Sequence, residues 1–148
     1  MTIVSVHDLT GHVGEEFGPS DWLTIDQQRI DDFGRITGDE HWMHVDVERA
    51  ARKAGGTIAH GLLILSVLPL LGETCFKVTG YTGGYSYGYD KLRFTMPVKS
   101  GRRVRLRQRL ESVTPKDPGQ LVRLASTIEI EDEDRPALVV DSLSLYFG

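Results

Sequence analysis

Two periodicities divide the chain. In the first half, Ile25, Ile30, Phe33 and Ile36 recur at close to the helical spacing of about 3.6 residues. Thr24, followed three residues on by Gln27, has the spacing of a capping box, which predicts a helix starting there. Gly38 is placed to end it in a left-handed cap. Ahead of it, glycines at 11, 14 and 18 leave room for only a short strand or loop, followed by a strand near Asp21–Leu23. The segment Asp39 to Val45 is too short and polar for a core element and reads as a loop. Asp46 is a suitable N-cap for a second helix, with Val47, Ala50, Ala51 and Ala54 on one face and Gly55–Gly56 as its stop. From Ile58 to Gly72 the chain is apolar nearly all round over 15 residues. That is the pattern of a helix enclosed by other elements, which Pro69 should kink or shorten.

After Glu73 the period becomes two. Tyr85, Tyr87 and Tyr89 alternate with small residues, and the run continues through Leu92, Phe94 and Met96. Val104, Leu106 and Leu110 alternate with Arg103, Arg105, Arg107 and Arg109. Val122, Leu124, Ile128 and Ile130 repeat the alternation, as do Leu143, Leu145 and Phe147. Turn clusters at Pro97–Gly101, Pro115–Gly119 and Asp132–Pro136 separate these runs. Helices followed by an antiparallel meander argue an α+β fold, with the apolar helix packed on one face of the sheet. The arginine row reads as the solvated face of an edge strand, kept charged against aggregation, or as a site for the phosphates of a ligand.

A length of 148 residues fits one domain, 1–148. The single cysteine, Cys75, excludes an internal disulfide framework and a CxxC motif. A net charge of −4 argues against a nucleic-acid partner. The apolar stretch is shorter than the roughly 20 residues of a membrane span, and the N-terminus lacks the basic-then-apolar pattern of a signal peptide. A cytoplasmic protein without a membrane partner is expected.

The chemistry concentrates in Thr37-Gly38-Asp39-Glu40-His41-Trp42-Met43-His44-Val45-Asp46, just after the predicted helix end. A second stretch, Gly56-Thr57-Ile58-Ala59-His60-Gly61-Leu62, opens the apolar segment. A carboxylate beside a neutral imidazole can hold one water by both hydrogens and deprotonate it. A glycine at a helix start lets a ligand approach unsatisfied backbone N–H groups closely. Each residue also has an ordinary reading. Asp39 could shape an Asx-turn. His60 could bond a nearby carbonyl and shape its turn. Ser66 could back-bond within its helix. Asp39, His41, His44 and Asp46 also offer nitrogen and oxygen ligands, but the histidines are spaced i, i+3 rather than the i, i+4 of a helical zinc site, so no metal is expected. Gly84-Tyr85-Ser86-Tyr87-Gly88 fits G-x-S-x-G, yet a strand rather than a helix follows it and no histidine lies after His60, so it is not a nucleophile elbow.

Phe33 to Asp39 with its Thr-Gly-Asp end, His44 five residues on, Val45-Asp46, Ile58-Ala59-His60-Gly61, and the Tyr-Gly-x-x-Lys-x-Arg-Phe run Tyr87–Phe94 together resemble one family. The sequence is similar to the MaoC-like dehydratases, the (R)-specific enoyl-CoA hydratases, and in particular to their small single-domain members related to nodulation protein N. The likeness covers about Thr24 to Val104. It implies a hot-dog fold, an antiparallel sheet wrapped around a central helix, in a homodimer. It implies reversible addition of water to a trans-2-enoyl-CoA, giving an (R)-3-hydroxyacyl-CoA, without a cofactor. Asp39 and His44 match the catalytic pair, Gly61 the backbone donor to the thioester oxygen, and Ser66 by position a supporting serine. His60 is a further supporting candidate. His41, Met43 and Asp90 stand where close relatives often carry Gln, Ile and Asn. Two other readings fit the resemblance: an acyl-CoA thioesterase on the same fold, and a non-catalytic acyl-binding subunit.

Overall fold

The computed structural model describes residues 1–148. Its elements are β1 (Thr2–Ser5), a 3₁₀ turn (Leu9–His12), β2 (Glu16–Phe17), β3 (Leu23–Thr24), α1 (Gln27–Thr37), α2 (Trp42–Val45), α3 (Val47–Ala54), α4 (Gly61–Ser66), α5 (Leu68–Gly72), β4 (Phe76–Thr79), β5 (Gly83–Phe94), β6 (Arg103–Lys116), β7 (Gly119–Ile130) and β8 (Leu138–Phe147). Five strands form an antiparallel sheet in the order β2-β6-β7-β8-β5, with β3 also on β6. β1 and β4 form a separate parallel pair. The helices lie on one face of the sheet, the α+β arrangement expected. No helix is long and apolar enough to cross a membrane.

Alternation decides which face is buried. In the β6–β7 register Val104 pairs with Ile130 and Leu106 with Ile128, and all four are buried. Leu138 and Val140 of β8 extend this surface, and Leu63, Ile64, Val67, Leu68 and Leu71 of the helices pack on it. Burying each such side chain contributes about 1.5–3 kcal/mol.

Several expectations need correction. The N-cap of α1 is Asp26, whose side chain accepts the Arg29 N–H. Thr24 instead pairs with Arg103 in the sheet, so strand pairing overrides the capping-box spacing. Ile25 precedes the helix and is fully buried, while Ile36 is exposed. Asp39–Val45 is not all loop, because α2 forms within it and His41 Nδ1 accepts the Met43 N–H at its start. Asp46 caps α3 as expected, yet only Ala50 of its proposed apolar face is buried.

The apolar segment is two short helices, not one. Pro69 sits in the first turn of α5, where a missing N–H costs nothing; it cannot continue α4, because it has no hydrogen to give Leu65. The pair is also one-sided, since Leu62 and Leu70 are exposed. Finally, β6 is interior to the sheet, flanked by β2, β3 and β7, so the arginine row is not on an edge. β5, which pairs only with β8, is one edge of the sheet, and the short β2 and β3, each paired only with β6, form the other.

Candidate active site

Asp39 follows Gly38, which ends α1 with φ of 83°, a left-handed value that glycine adopts without strain. This turn leaves the Asp39 side chain exposed and sends its carbonyl back over α1. A Cβ at Gly34 would stand 2.9 Å from that carbonyl oxygen, so the helix can receive Asp39 only at a glycine. His60 completes the anchor, with its Nε2 donating to the Asp39 carbonyl at 2.8 Å.

His44 lies on α2, half-buried. Its Nδ1 is 2.7 Å from the carbonyl oxygen of Ile58. A carbonyl only accepts, so Nδ1 carries the hydrogen and Nε2 of the neutral ring keeps its lone pair. The same logic leaves Nδ1 of buried His60 bare, and it has no hydrogen-bond partner. The two imidazoles stack with centroids 3.8 Å apart and planes 25° from parallel. Donor atoms of Asp39, His44 and His60 all lie within 4.8 Å of one another. As a metal set these three fit poorly, because lone pairs lie in the ring planes and stacked rings cannot both aim them at one ion. His41 and Asp46, which also offer ligand atoms, use their side chains to cap α2 and α3.

The two stretches are sewn together by more than His44. The Ile58 N–H donates to the Met43 carbonyl at 3.0 Å. Gln27 makes three bonds: its Nε2 donates to the His44 carbonyl at 2.7 Å and to Asp31 Oδ1 at 2.9 Å, and its Oε1 accepts the buried Thr57 hydroxyl at 2.5 Å. Sequence reasoning missed Gln27, assigning it to a capping box. It also passed over Gly34, although a glycine inside a helix costs about 1 kcal/mol against alanine and so often marks a close approach.

Gly61 is the first residue of α4, preceded by His60, which makes no side-chain cap. Its N–H has no helical carbonyl to bond. Gly61 and His44 line one groove of about 390 Å³, whose other walls include Leu62, Ile64, Phe94 and Met96. Ser66 is not among the residues lining it, and its exposed hydroxyl donates to the Leu62 carbonyl at 2.6 Å. Thus Asp39, His44 and His60 come together, His44 alone of the three lines the groove with Gly61, and Ser66 stands apart.

Larger depressions, of about 710 and 740 Å³, have mostly charged walls that include Asp90, Arg123, Asp141, Arg105 and Glu129. Those side chains pair with one another. Arg103 binds Glu131, and Arg105 and Arg107 bind Glu129 at 2.6 and 2.7 Å. Trp22 lies under Arg105, 4.3 Å from ring centroid to guanidinium carbon. Burial works to raise the Glu129 pKa, but the hydrogen bonds and charges of Arg105 and Arg107 outweigh it and hold the carboxyl below its usual range. The row is a solvated face, as read, with its charges already satisfied. Asp90 is engaged likewise by Arg123 at 2.8 Å. The G-x-S-x-G stretch lies within β5, with no helix after it.

The model of the MaoC like domain family matches residues 8–132. The chain is 41% identical over 147 residues to the Mycobacterium tuberculosis protein named 3-hydroxyacyl-thioester dehydratase Z, covering 98% of this chain and 97% of that one. It is 41% identical over 149 residues to nodulation protein N of Rhizobium leguminosarum bv. viciae, covering 98% and 92%. Among solved structures, R-hydratase PhaJ1 from Pseudomonas aeruginosa superposes with a TM-score of 0.75 at 23% identity, covering 91% of this chain and 81% of that one. That last likeness shows the hot-dog fold, and the family match with two near-full-length relatives shows the lineage: the chain belongs to the MaoC-like dehydratases, a family of hydro-lyases.

Proposed function

We propose that the protein adds water reversibly to a trans-2-enoyl-CoA to give the (R)-3-hydroxyacyl-CoA. The observation that carries the reading is the meeting of the Asp39 carboxylate with the His44 imidazole, whose tautomer is set by Ile58 and which lines one groove with Gly61. A water between Asp39 and His44 Nε2 has two acceptors for its hydrogens. As one of them takes a proton, the oxygen bonds to C3 and the C2=C3 electrons move toward the thioester. The Gly61 N–H meets the charge on the carbonyl oxygen, an interaction whose loss typically costs about 3 kcal/mol. C2 then takes the proton back, so water is added with no other reactant. Dehydration is the reverse path.

His60 acts here as a positioning residue, holding the Asp39 backbone while its ring supports His44. Ser66 contributes at most through its helix. The mostly apolar groove suits an acyl chain. A CoA thioester substrate accords with a cytoplasmic enzyme.

The protein is also expected to be a homodimer. The outer side of β5 has no strand partner, and Tyr85, Tyr87 and Tyr89 on it are exposed. An unpaired edge carrying aromatic side chains is a template for pairing with a second chain. Light scattering on the purified protein tests this.

The test of the activity is crotonyl-CoA. Hydration lowers the enoyl absorbance without releasing a thiol, whereas a thioesterase would release CoA, which DTNB detects. A non-catalytic acyl-binding subunit would do neither. A series of trans-2-enoyl-CoA chain lengths with chiral analysis of the product then defines the substrate and the stereochemistry.

A further inference from the structure

Phe94 ends the edge strand β5 and is half exposed, outside the buried core. Its ring nevertheless has a defined seat. A Cβ built on Gly61 would lie 3.0 Å from Cδ1 and Cε1 of Phe94 and 3.2 Å from Cγ, so the ring rests against a backbone that has no side chain to hold it off. Two irregularities aim it there. The β5–β8 register shifts between Ser86 and Gly88 and again between Asp90 and Arg93, where Lys91 takes a φ of 55°. Such bulges bend a strand and re-aim the side chains beyond them. Regular pairing resumes with Arg93 opposite Val139 and places Phe94 opposite Leu138, and Phe94 lines the same groove as Gly61 and His44.

We propose that Phe94 determines specificity at C2 of the acyl chain, admitting thioesters that carry hydrogen there and excluding those with a 2-methyl branch. The inference rests on the hydratase reading. In that reading the carbonyl oxygen is fixed by the Gly61 N–H, at a hydrogen-bond distance of about 2.9 Å. C3 is fixed at the other end by the water on Asp39 and His44. C2 lies between two pinned atoms and cannot slide to find room. The ring seated on Gly61 borders the space beside C1 and C2, so a methyl group on C2 competes with it. One methylene in an apolar pocket is worth about 10–200-fold in discrimination.

The experiment compares kcat/KM for crotonyl-CoA and for its 2-methyl homologue, tigloyl-CoA, in the wild type, Phe94→Leu and Phe94→Ala. Comparing one pair of substrates across variants cancels their difference in intrinsic reactivity. The preference for crotonyl-CoA should fall by 10-fold or more in Phe94→Ala and by less in Phe94→Leu, through a gain on tigloyl-CoA. An unchanged preference in both folded variants, including a parallel loss on both substrates, would overturn the inference. If the wild type hydrates neither ester, the hydratase reading itself fails, which is visible before any variant is compared.

Discussion

His44 donates from Nδ1 to the carbonyl oxygen of Ile58 at 2.7 Å, a bond that joins two stretches 14 residues apart. It does two things at once. It sets the tautomer, leaving Nε2 as the acceptor beside Asp39, and it fixes the turn that leads into Gly61. Catalysis and architecture therefore share one hydrogen bond, and residues that support it should act on turnover without touching substrate.

Gln27 is such a residue. Gln27→Met removes three hydrogen bonds and leaves the buried Thr57 hydroxyl without its partner. Each lost bond of this kind costs about 1 kcal/mol, more where a buried group stays unpaired. Gln27→Glu should be worse, because it sets a carboxylate against Asp31. Thermal unfolding and kcat on crotonyl-CoA should both fall, kcat by roughly 10-fold or more, as expected when positioning is lost, with KM changed less.

His60 should separate anchoring from packing. His60→Ala loses both the bond to the Asp39 carbonyl and the ring stacked on His44. His60→Gln can return an N–H to that carbonyl. Activity should fall in the order wild type, Gln, Ala, and the unfolding temperatures should follow the same order. Equal activities in the two variants would assign the whole effect to the ring.

Cys75 should be silent in the folded protein. Burial pushes its thiol up to about 11, which leaves roughly one part in a thousand as thiolate at pH 8. DTNB should find no protein thiol until denaturant is added, and then one per chain. The assay for released CoA is therefore unobscured by the enzyme.

Acid should loosen the outer face of the sheet. The Glu129 carboxyl is held below its ordinary range in the fold. Its contribution to stability is thus present above the unfolded value of about 4.3 and is lost as pH falls through the lower folded value. The group is partly exposed, so the contribution is about 1 kcal/mol or less. Glu129→Gln should unfold at a lower temperature than wild type at pH 7, with the gap closing below about pH 4. A gap that stays constant across that range would contradict the ion-pair account.

Local physics was legible in the chain and tertiary competition was not. Gly38 and Asp46 perform as read, because a left-handed cap and an N-cap depend on a few neighbouring atoms. Thr24 misled because its pairing partner, Arg103, is far away in sequence. Pro69 was readable as a break, but the exposure of Leu62 and Leu70 depends on what covers the helix pair. The place of β5 at the far edge, with β7 and β8 between it and β6, is likewise set by long-range register. In the site, both motifs stood out by residue type. Gln27 and Gly34 did not, and Phe94 was legible only as the end of a strand motif, because each matters through a contact that folding creates.

The central claim is that Asp39 and His44 activate one water. The direct measurement is hydration of crotonyl-CoA, followed by loss of enoyl absorbance, in the wild type, Asp39→Asn and His44→Ala. Each substitution should lower the rate by about 10²-fold or more while the unfolding temperature stays near that of the wild type. Full activity in either folded variant would contradict the account.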